Sequence, residues 1–326
     1  MQQDLFYPLD IRDTPEKVKM IKEYKQPEIN KETQKHVSFS QMNVYRGCNY
    51  RWKLEYKDGL RRFTSSSHTT FGTAMHETLQ GYLDVMYDES EAKADSLDLY
   101  SIFKDQFISE YTKQVEANNG EHYMDKGTFE EFYQDGIDII ETFKVERHNH
   151  FSKEKVHLVG CEVPLTITPN EETPNVYYIG YLDIVLYNEN TGKFTIIDIK
   201  TSTNGWWKWA KEDESKQFQL LLYKRFFSRQ YDVPEDHIDI EFFILKRKLA
   251  KTSKYPQNHI QIWEPTSGVM KTNKAHDAMN EFISECFTSD GIYRDDREFE
   301  KEPSKKSCMF CPYKKDEDLC GLGAKF

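Results

Sequence analysis

Apolar residues follow two different periods along this chain, which separates a helical part from a strand-rich part. Between residues 37 and 155 they recur three or four positions apart, for example at Leu79, Leu83 and Met86, which is the spacing of an amphipathic helix. From Val156 onward, β-branched and aromatic runs alternate with polar residues, as is typical of strands. The pattern therefore predicts an α/β fold.

The predicted elements divide the chain into four segments. A polar N-terminal arm (1–36) precedes a mainly helical segment (37–155), a strand-rich core (156–265), and a C-terminal helix with a cysteine-rich tail (266–326). The later segments contain the most clearly patterned elements. Strands are expected at Glu162–Ile167, Tyr181–Tyr187, Phe194–Lys200, Ile238–Leu245 and Ile260–Trp263, and helices at Ser215–Gln230 and Val269–Phe287.

Two carboxylates face each other in a predicted β-hairpin. If the hairpin centre lies between Asn190 and Thr191, paired residue numbers sum to 381, and Asp183 stands opposite Asp198. One face of the hairpin is then apolar, and it consists of Leu182, Ile184, Leu186, Ile197 and Ile199. Opposed carboxylates repel each other, so stability does not explain them, but a divalent cation between them removes the conflict.

The charged face of the hairpin also carries Lys200, which points to a particular chemistry. Mg²⁺ and Mn²⁺ take oxygen ligands and keep positions open for water and phosphate. A lysine beside them polarises the attacking water or stabilises the developing charge. These groups together suit phosphodiester hydrolysis, although an Asp-x-Lys sequence by itself is also common in surface strands.

Three motifs resemble those of a known nuclease family. Gly180-Tyr181-Leu182-Asp183 followed by Asp198-Ile199-Lys200 is similar to the PD-(D/E)XK signature. Gly72 to His76 resembles the G-x-x-x-H helix of the RecB-like and AddB-like branch, and Gln219 to Tyr223 resembles its Q-x-x-x-Y helix. The resemblance implies a restriction-endonuclease-like core, which is a mixed central β-sheet flanked by helices, with a helical insertion.

The same resemblance implies roles for individual residues. The ligands of a Mg²⁺ or Mn²⁺ ion would be His76, Asp183, Asp198 and the carbonyl of Ile199. Lys200 would help to activate water, and Gln219 with Tyr223 would orient Lys200 or the DNA strand. Taken without their neighbours, His76 is equally an ordinary helix histidine, and the glutamine and tyrosine are one face of an amphipathic helix.

Four of the six cysteines lie where iron–sulfur members of this branch place their cluster ligands. These are Cys48, Cys308, Cys311 and Cys320. The resemblance implies that they bind a 4Fe-4S cluster, which clamps the C-terminal tail onto the early segment. The interval before the last cysteine is longer than is common in the branch, and a zinc site with four thiolates is the alternative. Cys161 and Cys286 lie among apolar residues and are expected to be buried.

The overall charge and the absence of targeting segments bound the function further. The formal net charge is −11, which disfavours binding to a phosphate backbone, but basic residues are clustered locally. The clusters include Arg61-Arg62, Lys208 with Lys211, and Lys246-Arg247-Lys248, each of which is a binding surface or a solvated face. The tryptophans of the Trp206–Trp209 segment either stack on bases or pack a loop. Without a signal peptide or a membrane-spanning run, we expect a cytoplasmic protein, in the host cytoplasm if phage-encoded, with no membrane partner.

These features predict a metal-dependent DNA exonuclease with a structural 4Fe-4S cluster. The family resemblance implies action on single-stranded or unwound DNA ends in recombination, repair or phage DNA metabolism, with a helicase or recombination protein as partner. An endonuclease would use the same chemistry. The alternative from another class is a non-catalytic DNA-binding subunit with a zinc or iron–sulfur staple.

Overall fold

The computed structural model describes residues 14–30, 32–62, 65–250, 252, 254 and 256–322. Its helices are α1 (Thr14–Glu23), α2 (Phe39–Gly47), α3 (Asn49–Trp52), α4 (Ser67–Asp88), α5 (Glu91–Asp95), α6 (Leu99–Ala117), α7 (Lys126–His150), α8 (Lys208–Glu212), α9 (Glu214–Tyr231), α10 (Val269–Cys286) and α11 (Lys305–Cys308). A π-helical turn covers Lys53–Lys57, and a 3₁₀ turn covers Glu235–His237. The strands are β1 (Lys35–Val37), β2 (Val156–Ile167), β3 (Val176–Asn188), β4 (Lys193–Ser202), β5 (Ile238–Lys246) and β6 (Ile260–Trp263).

The strands form one six-stranded mixed sheet in the order β1-β3-β4-β5-β6, with β2 also paired to β3. β3 and β4 are antiparallel, β4 and β5 are parallel, and β5 and β6 are antiparallel. Because β4 and β5 are parallel, their carboxyl ends lie at the same edge of the sheet. This mixed sheet with flanking helices confirms the predicted fold class.

The chain separates into two compact units, each built from segments that are distant in sequence. The first unit contains the described residues of Met1–Tyr24, Ser65–Val163 and Tyr181–Ser267. The second contains those of Lys25–Thr64, Pro164–Gly180 and Gly268–Phe326.

In the first unit, both faces of the sheet are covered by helices. Helices α4, α6 and α7 share one apolar core with the face that carries Ile184, Ile197 and Ile199. On the opposite face, Phe194 of β4 packs on Phe227 of α9, with ring centroids 5.5 Å apart. All five apolar hairpin residues named above are buried. Covered on both faces, β4 holds its charged residues in a largely dry environment.

The second unit is organised around Trp52, which is fully buried. The rings of Phe282, Phe287 and Phe299 surround it at centroid distances of 5.6, 6.0 and 5.5 Å. Aromatic packing of this kind gives the unit its own core.

The C-terminal tail is attached within this second unit by hydrogen bonds to α3 and to the segment that follows it. The Tyr313 hydroxyl donates to the Leu60 carbonyl at 2.7 Å, and the Tyr50 hydroxyl donates to the Leu319 carbonyl at 3.2 Å. These contacts join segments that are far apart in sequence.

Most predicted elements match the observed ones, and the differences lie in polar or short segments. The polar arm contains α1, whose Ile21 is buried and whose Lys17 ammonium donates to the carbonyls of Tyr231 and Asp232 at the end of α9. A cation at a helix C-terminus is stabilising, so tertiary contact explains a helix that periodicity did not predict. No helix in the described part of the chain combines the length and apolarity needed to span a membrane.

Candidate active site

The register of the β3–β4 hairpin brings the two predicted carboxylates together. Residues Ile184–Asn188 pair with Lys193–Ile197 so that their numbers sum to 381, which confirms the predicted register over this stretch. At the next position the Asp183 carboxylate accepts a hydrogen bond from the Ile199 amide, with 2.7 Å between Oδ2 and N. The side chain therefore takes the place of a ladder carbonyl, and this fixes its orientation at the end of the hairpin.

Asp198 is an almost fully buried carboxylate with incomplete hydrogen bonding. Its side chain is 1% exposed, and the Lys200 ammonium lies 2.7 Å from Oδ2 as its ion-pair partner. Oδ1 has no hydrogen-bond partner among the described residues. An unsatisfied buried carboxylate oxygen is costly, and it marks a position where a cation would be stabilising.

Burial controls the protonation of this carboxylate pair. Loss of water raises the pKa of both Asp183 and Asp198 to about 6, even though the Lys200 ammonium opposes the rise. For Lys200, burial lowers the pKa, but the two carboxylates outweigh burial and the net pKa is raised. The site thus concentrates two acids around one ammonium ion.

His76 reaches the carboxylates from α4. Its Nδ1 lies 3.5 Å from Asp183 Oδ2, and its imidazole also forms a hydrogen bond with the Ile199 backbone. Burial and then the nearby Lys200 charge lower its pKa, so the imidazole is neutral at physiological pH. The neutral form is the one that binds metal ions.

Gly72 explains the glycine of the G-x-x-x-H motif. A Cβ atom at this position would lie 3.3 Å from Thr201 Oγ1, immediately after Lys200. A side chain here would push α4 away from β4. The glycine therefore permits the close approach that brings His76, one helical turn later, to Asp183.

Gln80 and Glu162 complete the surroundings of Asp183. Gln80 lies one helical turn after His76, and its Nε2 donates to both the Asp183 carbonyl at 2.9 Å and Glu162 Oε1 at 2.8 Å. Glu162 is exposed and has a φ of 52°, a left-handed conformation that is strained for a non-glycine residue. The sequence motifs did not point to Gln80, which the i, i+4 spacing from His76 could have indicated.

Gln219 and Tyr223 lie on one face of α9, as their spacing predicts. Gln219 Nε2 donates to the Tyr223 hydroxyl at 3.0 Å, and Tyr223 is buried. The hydrogen bond orients the amide and the phenol relative to each other. Their roles toward Lys200 or DNA stay a prediction.

Two residues of the basic run at Lys246–Lys248 are engaged in ion pairs within the first unit. Arg247 forms a buried ion pair with Asp135 at 2.8 Å, and Lys248 contacts Asp135 at 2.7 Å and Glu131 at 3.0 Å. The charges of Arg247 and Lys248 are therefore neutralised within the first unit.

The residues of the active site fit a hard cation chemically. No three His, Cys, Asp or Glu side chains of the described residues are arranged as a ready-made metal site. The donor set is nevertheless suitable, because Asp198 Oδ1 is orphaned, and the Asp183 carboxylate and the neutral His76 imidazole both contact the Ile199 backbone. A divalent cation would offset the burial that raises the pKa of both aspartates and would favour their ionised forms.

The four cysteines predicted to bind a cluster all lie in the second unit. One cavity is lined by all four predicted thiols, Cys48, Cys308, Cys311 and Cys320. All four are free of disulfides, and burial, with smaller contributions from the Cys320 and Cys48 thiols, raises the pKa of Cys311. Cys161 is half-buried in the first unit, and Cys286 is buried away from this cavity lining.

The mixed sheet and the Asp183–Asp198–Lys200 group are the features expected of a phosphodiesterase of nucleic acids. The family model of the PD-(D/E)XK nuclease superfamily matches residues 36–315, and the chain belongs to that superfamily. Enzymes of this superfamily generally use Mg²⁺ or Mn²⁺. The matched range ends before Cys320.

Comparisons with individual proteins add little detail. No curated protein matches the chain in a sequence search. Sixteen chains of solved structures match it. One is a crystal structure of a candidate exonuclease from Eubacterium rectale, with a TM-score of 0.43 and 14% identity over 86% of this chain and 97% of that chain.

Proposed function

We propose that this nuclease hydrolyses DNA from a free end and that its substrate is single-stranded or unwound DNA. The main support for a hydrolytic site is the buried Asp198 carboxylate, which has one orphaned oxygen and is close to the charges of Lys200 and Asp183. The preference for ends is supported by the likeness of the motifs to the RecB-like branch. The same likeness supports a role in recombination, repair or phage DNA metabolism, beside a helicase.

The ion would be held by four groups, which are the carboxylates of Asp183 and Asp198, the Ile199 carbonyl and the His76 imidazole. Bound there, Mg²⁺ or Mn²⁺ would acidify a water molecule and screen the charge of the phosphate. The protein prepares these groups in advance: the Ile199 amide orients Asp183, and burial keeps His76 neutral.

Lys200 acts through its charge rather than as a base. The two carboxylates keep its pKa raised, so it is an ammonium ion and cannot accept a proton from water. It instead orients the attacking water or stabilises the negative charge that develops on the phosphate. The water oxygen bonds to phosphorus, the bond from phosphorus to the sugar oxygen breaks, and the leaving oxygen takes up a proton.

Gln219 and Tyr223 are proposed to orient Lys200 or the DNA strand. Their mutual hydrogen bond presents a polar pair on α9. An amide and a phenol of this kind provide hydrogen bonds to phosphate oxygens without adding charge.

The hydrolytic site is tested by alanine substitutions of Asp198 and Lys200, with an aspartate outside the site as the control. Asp198→Ala and Lys200→Ala should each reduce cleavage of labelled DNA in Mn²⁺ by at least about 100-fold, which is the usual effect of removing one electrostatic group. Asp239→Ala is the control, because Asp239 lies on the neighbouring strand in an exposed ion pair with Lys193 and should retain activity. Cleavage by purified Asp198→Ala protein would contradict the site. Wild-type protein that binds DNA but cuts it with neither metal would favour the non-catalytic subunit.

The requirement for a free end has its own experiment. Linear single-stranded DNA should be degraded in Mg²⁺ or Mn²⁺, while a closed circle of the same sequence survives. Cleavage of both at equal rates would replace the exonuclease proposal with an endonuclease.

The cavity in the second unit is proposed to bind a structural 4Fe-4S cluster through Cys48, Cys308, Cys311 and Cys320. The support is that four free thiols line one cavity, which is the donor set of such clusters. When bound, the cluster would link Cys48 to a tail more than 250 residues later in the sequence and so reduce the entropy of the unfolded chain.

Metal analysis separates iron from zinc at this site. Anaerobically purified protein should contain iron and sulfide and should absorb broadly at roughly 400 nm. Cys48→Ala should lose the iron and melt at a lower temperature, whereas Cys161→Ala, the control outside the cavity, should keep it. Zinc without iron would establish the alternative, and unchanged iron content and melting temperature in Cys48→Ala would refute the clamp.

A further inference from the structure

The segment that follows the catalytic strand exposes two tryptophan side chains to solvent. Trp207 is 64% exposed and Trp209 is 71% exposed, whereas the adjacent Trp206 is 9% exposed. Large exposed aromatic surfaces are unfavourable in water and mark sites of interaction. The sequence alone did not distinguish these three residues.

Trp206 fixes the segment to the sheet. Its amide donates to Gln261 Oε1 at 2.7 Å, and Gln261 Nε2 donates to its carbonyl at 3.1 Å. Its ring packs on Phe242 and Trp263, with centroid distances of 4.8 and 5.7 Å. Gly205, with a φ of +81°, lies so close to Lys246 that a Cβ atom would come within 2.7 Å of the lysine Cδ. The exposed indoles are therefore carried on an anchored segment.

The exposed tryptophans lie near the catalytic edge of the sheet. β4 runs parallel to β5, with Lys200 paired to Ile244 and Ser202 paired to Lys246, so Lys200 lies near the carboxyl end of β4, beside the carboxyl end of β5. Trp207 lies seven positions after Lys200 in the sequence. That length of chain spans at most about 25 Å. A strand bound at the active site can therefore extend to the indoles.

The charges around the indoles favour a phosphate-containing partner. Lys208, between the two tryptophans, is highly exposed in its ion pair with Glu212, and the Lys211 ammonium lies over the Trp263 ring. Glu212, Asp213 and Glu214 follow these lysines, so the segment is not a basic patch, but the two ammonium groups can contact phosphates beside the indoles.

The arrangement of the indoles also argues for separate bases rather than one apolar protein surface. Trp207 is the N-cap residue of α8, and Trp209 lies in its first turn. Trp207 has an extended backbone before the helix and Trp209 lies within it, so the two indoles project from different local backbone geometries. Each ring can stack on a different base of a single strand.

We propose that Trp207 and Trp209 form a base-stacking platform for single-stranded DNA that leads to the active site. This proposal rests on the proposed function, since the bound strand is taken to be the substrate. Stacking on indoles is tolerant of sequence, so the platform binds unpaired bases of any type and does not bind the paired bases of a duplex.

The test measures binding to a 20-nucleotide oligothymidine, with fluorescence anisotropy as the readout and EDTA present to prevent cleavage. Trp207→Ala and Trp209→Ala should each weaken binding by roughly 5- to 150-fold, whereas Trp207→Phe and Trp209→Phe should retain most of the affinity. Val145→Ala is the control, because Val145 is also highly exposed within the first unit but lies on α7.

An abasic strand of the same length separates stacking from charge. Wild-type protein should bind it more weakly than oligothymidine, and the double alanine variant should bind the two strands equally. The platform is refuted if the double variant binds oligothymidine as tightly as wild type, or if its loss of affinity is the same for the abasic strand. If the double variant does not fold, equal binding of both strands by wild-type protein refutes stacking.

Failure of the stacking platform can be distinguished from failure of the hydrolytic proposal. Wild-type protein that discriminates between the two strands but never cleaves DNA in Mn²⁺ would retain the platform and lose the nuclease function. Protein that cleaves DNA and shows no discrimination would retain the nuclease function and lose the platform.

Discussion

Replacing Asp198 by asparagine should make the metal-free protein more stable while abolishing cleavage. Asparagine keeps the shape of the side chain and removes its charge. Burial raises the pKa of Asp198 from 3.8 to about 6, which corresponds to about 3 kcal/mol of unfavourable free energy when the group is ionised. Removal of one partner from a buried ion pair is normally destabilising, but here Lys200 retains the Asp183 carboxylate. We therefore expect a net gain of about 1–3 kcal/mol at pH 8.

The sign of this effect depends on pH. Below the ordinary pKa of 3.8 the Asp198 carboxyl is largely protonated in both the folded and unfolded protein, so the charge costs little and the two proteins should be similarly stable. As the pH rises from about 4 to 6, the unfolded chain ionises first, and the wild-type protein loses stability relative to Asp198→Asn. Above about pH 6 the difference is complete.

Urea unfolding in EDTA at pH 4 and pH 8 measures this difference, and a DNA cleavage assay in Mn²⁺ measures the functional loss. Added Mn²⁺ should stabilise the wild type and leave Asp198→Asn unchanged, because the variant lacks the ligand. A variant less stable than wild type at pH 8 would refute the buried-charge reasoning. A variant that still cleaves DNA would refute the site.

Three further predictions test other groups of the first unit. Gln80→Ala should raise the Mn²⁺ concentration needed for half-maximal cleavage by roughly 10- to 100-fold, because the Asp183 backbone loses its hydrogen bond from Gln80. An unchanged Mn²⁺ titration would show that this hydrogen bond does not support the site. Glu241→Gln should stabilise the protein at pH 8 but not at pH 4. Burial and then the Glu264 charge raise the pKa of Glu241 to about 7, so the ionised carboxylate lowers the stability of the wild type as the pH rises from about 4.5 to 7. Parallel pH profiles of melting temperature for the two proteins would contradict this. Asp135→Asn should destabilise the protein by about 3–5 kcal/mol, because it leaves Arg247 buried and unpaired. Urea unfolding measures this loss, and adding Arg247→Met should recover part of it. An Asp135→Asn variant as stable as wild type would show that the ion pair is dispensable.

Much of the secondary structure could be predicted from sequence because it depends on residues close together in the chain. The register of the β3–β4 hairpin followed from its turn and its alternation, and the observed pairing of Ile184 with Ile197 confirms it. The face shared by Gln219 and Tyr223 likewise followed from helical spacing alone. The short β1 and the polar α1 were missed, because each is stabilised mainly by partners distant in sequence.

The surroundings of the catalytic group could not be predicted in the same way. Gln80 and Glu162 are 82 positions apart in the chain, yet one amide bridges Glu162 to the Asp183 backbone. The basic cluster at Lys246–Lys248 was expected to be a binding surface or a solvated face, and only the contact with α7 shows that Arg247 is buried on Asp135. Long-range packing decides such cases, because burial reverses what a charge contributes.

The sequence by itself predicted the chemistry of this protein from two carboxylates and a lysine in a hairpin and from helix motifs that resemble those of nucleases. These predictions follow from local periodicity and from the functional groups of the residues, whose pKa values the fold then sets. Only the tertiary structure decided that Trp206 is anchored while Trp207 and Trp209 are exposed. Three neighbouring residues of one type have nearly the same local environment in the sequence. They differ because Gln261 and Phe242, from strands formed later in the chain, take up Trp206 and leave the other two indoles to solvent.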